Sequence, residues 1–148
     1  MQRYNMLRLC ISAFVVSNDG GMGMGSEKVR VFHTLRGEAL ETRYTPYGSV
    51  GKLFSGEGIE AVWVCKQNEA VDPGWFSQST VDLILVVQGQ LRVEFEQQPP
   101  DDQILEPGDL LILPRKTRCR AYRWPRNRKE ATVFLAVYPV GPGSPQHQ

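Results

Sequence analysis

Asp82-Leu83-Ile84-Leu85-Val86-Val87-Gln88-Gly89-Gln90-Leu91-Arg92-Val93-Glu94-Phe95 is the stretch on which the reading of the whole chain turns. Val81 to Val87 is a nearly continuous apolar run interrupted by one acid, Asp82. Such a run, rich in β-branched residues and bounded by turn residues, reads as a buried strand. Leu91, Val93 and Phe95 then alternate with Arg92, Glu94 and Glu96, which is the period of a strand with one dry and one wet face. Gln88-Gly89 between them reads as a short hairpin connection, with Gly89 free to take positive φ.

Working outward, the same signature recurs. Ile59 to Cys65 is β-branched and aromatic, and Leu110 to Leu113 is a short apolar strand stopped by Pro114. Arg118–Trp124 and Ala131–Tyr138 read as the last two strands. Turn chemistry separates them. Gln97–Asp102 is polar and carries Pro99-Pro100, and Glu106-Pro107-Gly108-Asp109 is a tight turn. From Val29 to Pro139 no segment keeps a 3.6-residue apolar period, and no internal repeat is present. Short strands spaced by roughly 8–12 residues with Gly/Pro turns predict an all-β antiparallel sandwich or barrel.

A chain of 148 residues is one domain's worth and can bury a core without staples. Seventeen basic residues against sixteen acidic ones leave a net charge of +1, which disfavours a surface built for nucleic acid or anionic membrane. The three cysteines (Cys10, Cys65, Cys119) are widely spaced and odd in number, so they form neither a disulfide framework nor a zinc ribbon. The two histidines are His33 and His147, which nearly closes any mechanism that needs several convergent imidazoles. Residues 1–25 differ in composition from the rest of the chain. The apolar run Leu9–Val16 is too short for a membrane span and lacks a cleavage site, so these residues read as a disordered leader. A single domain is expected over residues 26–139, with a loose tail over residues 140–148, where Gly141-Pro142-Gly143-Ser144-Pro145 cannot continue a strand. The expected location is cytoplasmic.

Two of these stretches resemble the conserved motifs of the cupin superfamily. In the first, Asp82 stands where the family has a glutamate, with six residues between it and Gly89. In the second, Pro107-Gly108-Asp109-Leu110-Leu111-Ile112-Leu113-Pro114 keeps five residues between Gly108 and Pro114. The resemblance covers residues 59–138 and is to single-domain, RmlC-like barrels of the cupin type 2 kind. It implies an antiparallel jelly roll, or double-stranded β-helix barrel. The family's divalent metal is held by three histidines and a glutamate. Here the paired histidine slots fall on Phe76 and Gln78, or on Trp75 and Ser77 with the alternative spacing. The third histidine slot is Cys119, and a following asparagine slot is Arg123. The ligand motifs are therefore degenerate, and no cofactor is expected. If a metal is bound, the surviving set Gln78, Asp82 and Cys119 suits zinc or another divalent cation best.

By the resemblance Asp82 points into the barrel, so Ile84 and Val86 do too, while Leu83, Leu85 and Val87 point outward. An apolar outward row is covered by the N-terminal strand or by another copy of the chain, and a homodimer is the expectation. Gln78, Asp82, Cys119 and Arg123 are the candidate ligand-binding residues of an otherwise apolar interior. Asp82, buried beside apolar neighbours, is the candidate general acid or base. Residues 115–129 carry eight basic side chains, with Tyr122 and Trp124 interleaved. They form either an anion-binding ridge or a solvated face balanced by Glu94, Glu96, Asp101 and Asp102. These features predict a barrel that binds a small molecule, an anionic one if the basic segment takes part, without the His-rich metal site. The alternatives are an enzyme, either metal-dependent with altered ligands or a metal-free isomerase or lyase using Asp82, and a purely structural dimer module.

Overall fold

The computed structural model describes residues 28–97 and 101–141, so the expected leader, the Pro99-Pro100 pair and nearly all of the expected tail lie outside the described residues. Nine strands follow one 3₁₀ turn, Thr34–Arg36. They are β1 (Glu41–Thr45), β2 (Gly48–Gly56), β3 (Ile59–Lys66), β4 (Asp82–Gln88), β5 (Gln90–Phe95), β6 (Gln103–Leu105), β7 (Leu110–Leu113), β8 (Cys119–Trp124) and β9 (Thr132–Pro139). A six-stranded sheet runs in the order β1-β2-β3-β9-β4-β7, and a three-stranded sheet in the order β6-β5-β8. Every pairing between these strands is antiparallel. The chain is an all-β barrel of two facing sheets, as the strand pattern predicted.

Two features depart from the sequence reading. Strands β1 and β2 precede the first expected strand, and β2 is the glycine-rich Gly48-Ser49-Val50-Gly51-Lys52-Leu53-Phe54-Ser55-Gly56. Its weak β-propensity hid it. In addition, Gln88-Gly89 is not a hairpin. β4 pairs with β7 and β9, whereas β5 pairs with β6 and β8, so Gly89 is the corner at which the chain passes between sheets. Its φ of 69° and a Cβ position only 2.9 Å from Thr132 Oγ1 leave glycine the one residue that fits.

Alternation along the strands fills the space between the sheets. Ile84, Val86, Leu91, Val93, Phe134 and Ala136 are almost wholly buried, and Val50, Val62, Val64, Phe76 and Phe95 join the same cluster. The inward assignment of Ile84 and Val86 and the outward assignment of Leu83 and Leu85 therefore hold, and Leu83 keeps 37% of its surface exposed. On β3, Trp63 lies on the outer face beside Leu135 and is nonetheless buried, because the segment before β1 covers it. Its Nε1–H donates to the Glu38 carbonyl at 2.9 Å. Gly51, directly across from Trp63, makes room for the ring, and a Cβ there would stand 2.2 Å from Trp63 Cε2. Gly51→Ala is expected to cost ~1–3 kcal/mol by overpacking and to redden Trp63 fluorescence as the ring is pushed into water. Urea titrations followed by fluorescence measure both.

Candidate functional site

The loop before β4 supplies the first wall of the site. Phe76 and Cys119 exchange backbone hydrogen bonds, each at 2.9 Å, so this loop runs beside the start of β8. The bridge settles which of the alternative slots face inward. Phe76 is buried in the core, whereas Trp75 lies under the Arg120 guanidinium, 4.5 Å from its ring centre. Gln78 is held by its carbonyl, which accepts the Lys116 N–H at 2.7 Å. Lys116 follows Pro114 in a tight turn closed by Thr117 N–H to the Pro114 carbonyl, and its φ is 66°. That conformation strains a residue with a side chain. Lys116→Gly is expected to stabilise the fold by ~0.5–1 kcal/mol, read from the urea midpoint.

Asp82, at the start of β4, has no measurable exposure, and no well-formed hydrogen bond reaches either carboxyl oxygen. Burial pushes its carboxyl up to about 7, against a smaller opposing pull from the Leu83 amide. Cys119 faces the same space from β8, and its thiol is pushed up to about 12, by burial first and by the Asp82 charge second. The amide nitrogen of Gln78 is likewise buried without a partner. Asp82 and Cys119 thus face one another across the interior, and the orphaned polar atoms are the two Asp82 carboxyl oxygens and the Gln78 amide nitrogen.

Arg123 does not join them, which corrects its assignment to the site. It shares the inner face with Cys119 but lies four residues further along β8, opposite Leu91 rather than Phe95. Its guanidinium is spent on backbone carbonyls, donating to Arg126 O at 3.1 and 2.6 Å and to Gln67 O at 3.0 Å. A buried guanidinium satisfied this way ties two loops together. Arg123→Met should cost ~2–4 kcal/mol by leaving the Gln67 and Arg126 carbonyls unpaired. Thermal unfolding measures this.

The basic segment also resolves. Arg118 pairs with Glu96 at 2.7 Å, Arg120 with Glu94, and Arg92, from the facing strand, with Asp102 at 3.4 Å. Tyr122 donates to Glu94, and the Arg92 guanidinium lies 4.6 Å from the Trp124 ring centre. Arg118, Arg120, Tyr122 and Trp124 do share the outer face of the small sheet, but acids from β5 and the loop after it neutralise the arginines, as the balanced reading expected. His33 stands on the exposed segment before β1, where its backbone N–H donates to Glu38, and it is not brought to the site.

The metal that the resemblance implies meets an incomplete ligand set in these residues. Phe76 offers no donor and Gln78 offers only a weak amide oxygen. Among the described residues no group of three His, Cys, Asp or Glu side chains is placed to hold a metal ion. Among them, too, no helix is long and apolar enough to cross a membrane.

The architecture defines a class. The RmlC-like cupin from Shewanella frigidimarina superposes with a TM-score of 0.54 at 13% identity over 68% of this chain and 83% of that one. KdgF from a Halomonas species gives 0.54 at 23% identity over 68% and 89%. Hydroxypropylphosphonic acid epoxidase from S. wedmorenis gives 0.53 at 11% identity over 62% of this chain, which spans half of that enzyme's length. No protein-family model and no curated protein sequence matches the chain. The chain has the cupin fold, which the two degenerate motifs had suggested.

Proposed function

We propose that this barrel binds a small polar molecule at Asp82 and Gln78, without the family's histidine-held metal. The observation that carries the reading is the set of orphaned polar atoms, Asp82 Oδ1, Asp82 Oδ2 and Gln78 Nε2. A buried polar group without a partner costs ~1–3 kcal/mol, and a bound molecule that supplies the missing hydrogen bonds recovers that free energy. Below pH 7 the Asp82 carboxyl both donates and accepts, and the Gln78 amide donates, so the complement carries hydroxyl or carbonyl oxygens. Cys119 and Phe76 form the apolar wall beside them. Saturation-transfer NMR with a panel of small hydroxy acids, polyols and hydroxy carbonyls tests this. At least one member should bind, and Asp82→Asn and Gln78→Leu should each weaken it tenfold or more. If no member binds, or if binding ignores both substitutions, the reading fails.

The same reading includes a homodimer. On the outer face of the large sheet, Leu83 and Leu85 of β4 neighbour Leu110 and Ile112 of β7 on one side and Leu135 and Val137 of β9 on the other. Leu110 and Ile112 are more than half exposed, and no charge interrupts these six positions. The described contact of the segment before β1 with this sheet is at Trp63, beside Leu135. A flat face without charges complements itself about a two-fold axis, which supports a second copy of this chain as its cover. A cytoplasmic location is part of this proposal, and the free thiols of Cys65 and Cys119 are compatible with it.

A further inference from the structure

The inner face of the large sheet is not apolar throughout. Arg43 of β1 stands directly opposite Val50 of β2, Val50 opposite Val64 of β3, and Val64 opposite Phe134 of β9. Val50, Val64 and Phe134 belong to the buried core, and side chains directly opposite on neighbouring strands share a face, so Arg43 points inward. It is half-buried, and its Nη1 is shut away from water without an acceptor. Lys52 lies on the same face, opposite Val62 of the core, and is 9% exposed. It is the diagonal neighbour of Arg43, which sets the two backbones about 7–8 Å apart.

The carboxylates around Arg43 are engaged elsewhere or out of its reach. Glu41, two residues earlier on the same face, is exposed and stands opposite Lys52. Glu60 accepts hydroxyls from Tyr138 and Ser55. The loop after β3 is tied to the β1–β2 turn by Asn68 Nδ2, which donates to the Pro46 carbonyl at 3.0 Å, and its Asp72 accepts the Gly74 N–H. Among the described residues no acid forms an ion pair with Arg43. A guanidinium keeps its charge at any ordinary pH, so it cannot escape the cost of burial by giving up a proton. β1 is the edge strand of its sheet, which leaves one side of Arg43 open to solvent. From β4 to β1 there are four strand spacings along the sheet, about 19 Å, so Arg43 stands apart from the position of Asp82.

We propose that Arg43, with Lys52 beside it, binds the oxyanion group of a small molecule, a carboxylate or a phosphate, at the β1 edge of the barrel. The planar guanidinium fork matches two oxygens of either group, and the anion supplies the acceptor that Nη1 lacks. The charge of Lys52 on the same face adds to the attraction, and the apolar wall of Val50 and Val64 strengthens it by keeping water off one side. This site goes beyond the binding reading and needs neither Asp82 nor Gln78.

The test follows thermal unfolding of the full-length wild-type chain in millimolar inorganic phosphate, acetate or succinate, with the ionic strength held constant by sodium chloride. NMR follows the Arg43 Nε–Hε signal in the same titrations, identified by its absence in Arg43→Lys. At least one anion should raise the melting temperature by several degrees and move that signal with saturation. A response to phosphate alone identifies a phosphate site, to the two carboxylates alone a carboxylate site, and to all three a general oxyanion site. Arg43→Met should lose the response. Arg43→Lys, which keeps the charge without the fork, should respond severalfold more weakly, and it carries the test if Arg43→Met does not fold. Asp82→Asn should respond as wild type does. An unchanged response in the Arg43 variants, loss of the response in Asp82→Asn, or failure of every anion to move the Arg43 signal overturns the site. In the last case Arg43 is an inward charge that guards an edge strand against pairing.

Discussion

Asp82→Asn is expected to make the protein more stable than wild type at pH 8 and to remove most of a pH dependence that wild type shows. The folded carboxyl is raised from 3.8 to about 7, because burial disfavours the charged form. A raised value means that the folded state binds the proton more tightly than the unfolded chain does. The associated stability is therefore fully present below pH ~4 and is lost as the pH climbs through 7. Three pKa units correspond to an upper bound of ~4 kcal/mol. Asn keeps the shape and cannot ionise, though its own amide stays unpartnered, so a gain of ~2–3 kcal/mol at pH 8 is expected, shrinking towards pH 5. Urea denaturation of both chains at pH 5, 6.5 and 8 measures the difference. Parallel pH curves for the two proteins would mean that the Asp82 oxygens are solvated or paired in solution, and the site would lose its basis.

Leu85→Lys carries the other large effect. Leu85 stands at the centre of the uncharged outer row, between Leu110 and Leu135. In an isologous dimer each substitution is met twice, and a buried unpaired charge costs several kcal/mol. Light scattering should therefore report a folded monomer from Leu85→Lys where wild type is a dimer. Ile84→Ala, one residue along and inward, should instead cost ~2–5 kcal/mol through a cavity and leave the assembly unchanged. A third outcome is informative. If wild type is monomeric and Leu85→Lys lowers its melting temperature, the cover is a segment of the same chain outside the described residues.

How the residues distribute between those two faces shows what was legible in the sequence. Leu110–Leu113 and the alternation in Leu91, Val93 and Phe95 announced their strands unaided, because a period of two with β-branched and aromatic residues is a local property. The same locality placed Ile84 inward and Leu85 outward once one inward residue was known. β2 was not legible. Its glycines are there to admit the Trp63 ring and to let Gly48 approach the Cys65 carbonyl, and both reasons sit on a strand distant in sequence.

The candidate site divides in the same way. Asp82 was identifiable as a lone acid in an apolar run, and Gln78 and Cys119 by motif spacing. Arg123 had the reverse fate, because only the loops packed over the end of β8 reveal that its guanidinium is already occupied. The sequence alone determined an all-β barrel and, with Asp82 set inward by the cupin resemblance, the inward and outward rows of β4, because alternation is a short-range property. Tertiary structure alone decided which sheet each strand joins and that the acid in β4 is shut away from water. Strand pairing and burial are long-range properties, set by residues far apart in the chain.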